Sequence, residues 1–172
     1  SLARRGMRQV DWQSEWNVLD IGCGGGADLK RLLKLCPQGR VYGIDLSEES
    51  VAFARRHNAG ELDRCCFIRQ GDVCSLPYGD GAFDAVTAFE TVYFWSPVGK
   101  ALGEVFRVLR KGGCFLIGLE AGDPELGRMW TKRIGGMTVY GAEELKRLLS
   151  RAGFSDIRAI RAKEELHIVA HK

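Results

Sequence analysis

Gly22, Gly24 and Ala27 fall in the pattern G-x-G-x-x-A, directly behind the short run Val18-Leu19-Asp20-Ile21. Small residues at that spacing let backbone N–H and C=O groups touch a ligand. A carboxylate about 20 residues further on, here Asp45, can accept both hydroxyls of a ribose. Two more acids belong to the same constellation: Asp20, just ahead of Gly22, and Asp72, just after Gly71. A buried acid such as Asp20 needs a partner, because an unpaired buried charge is costly. A pyrophosphate would repel it, whereas an ammonium group would satisfy it. Asp72 can accept a hydrogen bond from an exocyclic amino group such as that of adenine, or it can cap its own turn. So many acids suit a cationic ligand better than a diphosphate.

These residues need a frame that brings them to one edge. Residues 17–21 read as a strand, and the glycines after them as a tight loop. Leu29, Leu32, Leu33 and Cys36 follow at i, i+3, i+4 and i+7, one face of a helix over 28–36. Strands are expected at 41–45 and 65–70, with a helix between them that Ser47 caps and that runs to about residue 58. The almost wholly apolar run 83–89 suits a strand covered on both faces. A helix then starts near Pro97, with Val98, Ala101, Leu102, Val105 and Leu109 inward, and Gly112-Gly113 stop it before a strand at 114–119. Residues 120–141 are the least regular. Leu145, Leu148, Leu149 and Ala152 mark a last helix, which Gly153 ends. The connection between the closing segments 154–161 and 166–171 is too short for a crossover, so they must pair antiparallel. The expected fold is α/β and doubly wound: five βα units and a hairpin at one edge. Residues 1–16, with Trp12 and Trp16 four apart, form either a short helix laid over the first strand or a frayed end.

The 172 residues are expected to form one domain. Net charge is +3 with no dense basic run, which argues against a nucleic-acid surface. No apolar run is long enough to span a membrane and no signal peptide is visible, so a cytoplasmic protein is expected. The six cysteines contain no C-x-x-C pair, and His57, His167 and His171 have no neighbours at ligand spacing. No metal site is expected, and the cysteines are read as reduced.

The run Val18-Leu19-Asp20-Ile21-Gly22-Cys23-Gly24-Gly25-Gly26 resembles motif I of the class I S-adenosylmethionine-dependent methyltransferases. Tyr42-Gly43-Ile44-Asp45-Leu46-Ser47 resembles their second acidic motif. Gly71-Asp72-Val73, Leu76-Pro77 and Phe83-Asp84-Ala85-Val86 are similar to the approach to their fourth strand. Glu104 to Gly113 is similar to the helix and loop before their fifth. The resemblance covers about residues 17–120. It implies a Rossmann-like seven-stranded sheet, mostly parallel, in the order 3-2-1-4-5-7-6, and S-adenosyl-L-methionine as cofactor.

Carried over by position, the resemblance has Asp20, Gly22, Cys23 and Gly24 hold the methionine part. Asp45 takes the ribose hydroxyls, Leu46 packs on the adenine, and Asp72 and Val73 meet its polar edge. Phe89 and Glu90 line the site beneath the sulfonium, and Glu90 is the candidate general base. Tyr93, Phe94 and Trp95 either wall an acceptor pocket or pack the next helix. The partner implied is a small-molecule acceptor, with no nucleic acid and no membrane; oligomeric state is left open. Its identity belongs to segments before the first strand and after the fifth, where Met129, Trp130, Met137 and Tyr140 supply apolar and aromatic surface. Residues 1–16 are short for an acceptor lid, so a truncated N-terminal lid is an expectation. The competing functions are an NAD-dependent oxidoreductase, which leaves Asp20 and Asp72 unexplained, and a non-catalytic cofactor-binding domain.

Overall fold

β1 (Val18–Ile21) is buried at all four positions, and the rest of the chain is layered around it. A computed structural model describes residues 1–172, the side chain of Leu126 excepted. Along the chain follow α1 (Leu2–Met7), β1, α2 (Ala27–Leu35), β2 (Val41–Asp45), α3 (Glu48–His57) and β3 (Cys66–Gln70). Then come β4 (Phe83–Phe89), α4 (Val98–Val108), β5 (Leu109–Leu119), α5 (Pro124–Arg133), α6 (Ala142–Ala152), β6 (Ser155–Ala162) and β7 (Glu165–His171). The seven strands lie in the order β3-β2-β1-β4-β5-β7-β6. β7 runs antiparallel to both its neighbours, and the other pairings are parallel. The expected sheet and its closing hairpin are both present.

Alternation along the strands splits the core between the two faces. Val18, Ala85, Leu116 and Val169 pack with α1, α2 and α3. Leu19, Val86, Phe115 and Ile168 pack with α4 and α6. α2 buries Leu29 and Leu32 completely, and α4 does the same with Ala101, Leu102 and Val105. Ser47 caps α3 by accepting from Ser50 N at 3.2 Å, and the acids of its first turn suit the helix dipole. Gly153 ends α6 at φ 106, a conformation open to glycine.

Four expectations need correction. α1 lies ahead of Trp12 and Trp16, which meet edge to face at 5.9 Å outside any helix. Gly112 and Gly113 do not stop α4, which ends at Val108. Leu109 already pairs with Phe83, and the glycines take up a register shift between Phe83 and Ala85. Their backbone groups bond Lys172 at 2.8 and 3.0 Å, so the C-terminus holds them in the sheet. The irregular stretch contains a helix, α5, which Asp123 caps by accepting from Glu125 N at 2.8 Å. β3 begins at Cys66, while the Cys65 carbonyl still accepts from Val41 N.

Candidate active site

A cleft of about 380 Å³ opens where β1, β2 and β4 end. Gly22, Asp45, Leu46, Asp72, Val73 and Glu90 line it, with Phe94 and Trp95 on its far wall. The glycine loop is held from several directions. Gly24 N donates to Asp45 Oδ2 at 2.8 Å, and Ser47 N donates to Asp45 Oδ1 at 2.9 Å. Asp45 thus ties the loop after β1 to the start of α3, leaving its remaining lone pairs for a ligand. Beneath the loop, buried Asn58 donates from Nδ2 to Gly26 O at 3.1 Å and to Ala54 O at 2.9 Å. Gly22 sits at φ 71, and a Cβ there would lie 2.3 Å from Thr91 Oγ1, so close approach demands glycine. Nothing lies within 4 Å of a Cβ built on Gly24, which faces open space and is not part of the cleft lining.

Asp20 is only 3% exposed. The β1–β4 register places Thr87 opposite it, and the Thr87 hydroxyl donates to Asp20 Oδ1 at 2.6 Å. Burial pushes the carboxyl up to about 8; the Thr87 hydrogen bond opposes the rise, while Asp28 and Asp45 add to it. Asp20 does not reach the cleft lining, and neither does Cys23, whose Sγ packs against Gly43. Asp72 lines the cleft and also caps its own turn, accepting from Cys74 N at 2.8 Å. Leu46 is 70% exposed over the cleft, an apolar residue with no partner in its own chain. Phe89 is not in either cavity wall. Alternation turns it to the α1 face with Ala85 and Thr87, where its ring meets Gly6 and Gly118.

Glu90 and Phe94 also line a second hollow of about 360 Å³, completed by Tyr93, Glu120, Trp130 and Met137 among others. Met129 is exposed and Tyr140 is buried in the core, so neither joins it. Glu90 sits at φ 58, and its Oε1 accepts from Glu120 N and, at 3.1 Å, from Tyr93 O–H. Loss of surrounding water raises its pKa, the two hydrogen bonds lower it, and Glu120 and Glu165 raise it further. Sequence reasoning missed Thr87, Thr91 and Asn58. Their partners are fixed by strand register and by a helix end meeting a distant loop, which no local spacing reports.

The comparisons agree with this geometry. The model of the methyltransferase domain family matches residues 19–117. The chain belongs to that family. A demethylmenaquinone methyltransferase from Thermus thermophilus is 33% identical over 165 residues, spanning 80% of this chain and 74% of that protein. A fatty-acid O-methyltransferase from Mycolicibacterium smegmatis is 39% identical over 100 residues, 58% of this chain and 35% of the relative. A crystal structure of an S-adenosylmethionine-dependent methyltransferase from Aquifex aeolicus superposes with a TM-score of 0.82 at 22% identity, covering 98% of this chain and 88% of that one. This last likeness shows the fold. The chain spans between 35% and 49% of the length of the first three curated relatives it matches.

S-adenosyl-L-methionine is the cofactor of this methyltransferase family, and the cleft fits it. Among the described residues its lining carries the acids Asp45, Asp72 and Glu90 and no base, which suits a positively charged ligand. Among the described residues no group of His, Cys, Asp or Glu is arranged to hold a metal ion, and no helix is long and apolar enough to cross a membrane.

Proposed function

We propose that this chain transfers the methyl group of S-adenosyl-L-methionine to a small-molecule acceptor. What carries the proposal is the meeting of two cavities at Glu90 and Phe94, one acid-lined beside the glycine loop and one aromatic beyond it. The bound cofactor supplies an electrophilic methyl on a positively charged sulfur. The chain's part is placement. Gly22 and Gly24 present backbone to the amino-acid part, and buried Asp20, held by Thr87, lies behind them. Asp45 takes the ribose hydroxyls, Leu46 covers the adenine, and Asp72 with the Val73 N–H meets its polar edge. Glu90 stands where the cavities join and takes a proton from an acceptor that carries one. Alignment of two bound groups can account for ~7–11 kcal/mol of barrier lowering.

Relatives whose names specify fatty-acid, quinone and sterol acceptors support a small molecule. Six free cysteines suit a reducing compartment, and we place the protein in the cytoplasm. The test is a thermal-shift comparison. S-adenosyl-L-homocysteine should raise the melting temperature and NAD should not; a shift with NAD alone would sink the assignment in favour of a dinucleotide site.

A further inference from the structure

We propose that the acceptor is an organic amine, drawn into the second hollow by its positive charge. This rests on the methyl-transfer reading above and deepens it. Four carboxylates face the hollow, those of Glu90, Glu120, Asp123 and Glu164, and no basic side chain lines it among the described residues. Asp123 is engaged as the cap of α5, and Glu90 by Glu120 N and Tyr93 O–H. Glu120 and Glu164 stand exposed, outside the ion pairs that engage Glu104, Glu143 and Glu165. The exposed residues Phe94 and Trp130 line the hollow with these acids, and an aromatic face attracts a cation. Arg5 and Lys163 line an adjoining hollow that shares Glu120 and Glu164, and α5 carries Arg128, Lys132 and Arg133 outside the lining. Arg5 is already held there by Glu165, with Nε at 2.7 Å. An acceptor carboxylate would enter among like charges, with no cationic side chain in the lining among the described residues. An ammonium meets opposite charge and aromatic walls all the way to the cofactor cleft.

The chemistry closes on residues already placed. An ammonium gives its proton to the Glu90 carboxylate, whose raised pKa favours the transfer. The freed lone pair forms the N–CH₃ bond as the S–CH₃ bond breaks, and that bond's electron pair stays on sulfur. The product departs as a methylammonium bearing the charge the sulfonium brought, and Glu90 returns its proton to water.

The test is calorimetry on the full chain saturated with S-adenosyl-L-homocysteine. The probes are 2-phenylethylamine and 3-phenylpropanoate, alike in ring and length and opposite in charge. The amine should bind about tenfold more tightly, a difference of ~1.4 kcal/mol. That preference should shrink several-fold in the double variant Glu120→Gln, Glu164→Gln, whose exposed sites should leave folding and S-adenosyl-L-homocysteine affinity unchanged. Equal or tighter binding of the carboxylate overturns the proposal, as does binding of neither probe at millimolar concentration or a preference undiminished in the double variant. Failure of S-adenosyl-L-homocysteine to bind is seen in the first titration, before any amine is added. It removes the methyl-transfer reading and the amine with it.

Discussion

Replacing Asp20 with Asn should remove one large contribution to the pH dependence of stability. The carboxyl is 3% exposed, accepts one hydrogen bond from Thr87, and is raised by burial from 3.8 to about 8. The unfolded chain releases this proton near pH 4 and the folded chain only near pH 8. Between those values the folded state holds more protons, so stability falls as pH rises and levels off above about 8. The slope approaches ~1.4 kcal/mol per pH unit, or about 4 kcal/mol from pH 5 to pH 8. Asparagine keeps an oxygen for Thr87 and removes the ionisation. It also brings an N–H that needs a partner, at a pH-independent cost of about 1–3 kcal/mol. The change with pH is therefore the quantity to read. Urea unfolding of both proteins without cofactor, at one-unit steps from about pH 5 to about pH 8, measures it. The variant should gain on the wild type steadily as pH rises. A constant gap across that window would mean the carboxyl is solvated or otherwise paired, and the reasoning about its charge would fail.

Asp45→Ala removes the acceptor for Gly24 N and Ser47 N as well as the ribose contact proposed above. It should weaken S-adenosyl-L-homocysteine binding by about 1–3 kcal/mol in calorimetry, and unchanged affinity would place the ribose elsewhere. Glu90→Gln keeps an oxygen for Glu120 N and Tyr93 O–H, so it should fold normally. With an amine acceptor its single-turnover rate should drop about 10²-fold, with cofactor affinity little changed. The wild-type rate should climb as pH passes the raised Glu90 pKa, and the variant should lack that limb. Asn58→Ala leaves the buried carbonyls of Gly26 and Ala54 without its amide and should cost about 1–3 kcal/mol in urea unfolding. A loss of that size with normal cofactor affinity would show that the loop keeps its shape unaided.

Much of the sheet is legible because local and global signals coincide. Strand, glycine loop and helix follow one another without ambiguity at residues 18–35, and the short link at 163–164 leaves β6 and β7 no choice but to pair antiparallel. α5 hid although Leu126, Met129 and Trp130 fall at i, i+3 and i+4, because Gly122, Gly127, Gly135 and Gly136 make the stretch read as loop. Its buried described position is Gly127, although Asp123-Pro124-Glu125 carried a readable cap. Phe89 was misplaced for a different reason. Its neighbourhood in sequence is the site, but alternation on β4 sends it to the opposite face from Ala88. Asp20 was legible as a buried acid, yet its partner Thr87 comes from strand register, which spacing along one strand does not contain.

Glu90 shows why placement precedes chemistry here. A non-glycine residue at φ 58 costs about 1–2 kcal/mol. Relaxing it to an extended conformation would undo three bonds at once. Its own N–H donates to Gly118 O at 2.9 Å, and its Oε1 takes Glu120 N and Tyr93 O–H. Tyr93 O–H in turn accepts from Ala121 N at 2.9 Å. The end of β4 is thereby stitched to the residues leaving β5, the segment that goes on to α5 and Trp130. The strained turn fixes the wall shared by both cavities, so the Glu90 carboxylate and the Phe94 ring are held at their junction. A donor that needs only an aligned nucleophile asks for nothing more from the scaffold.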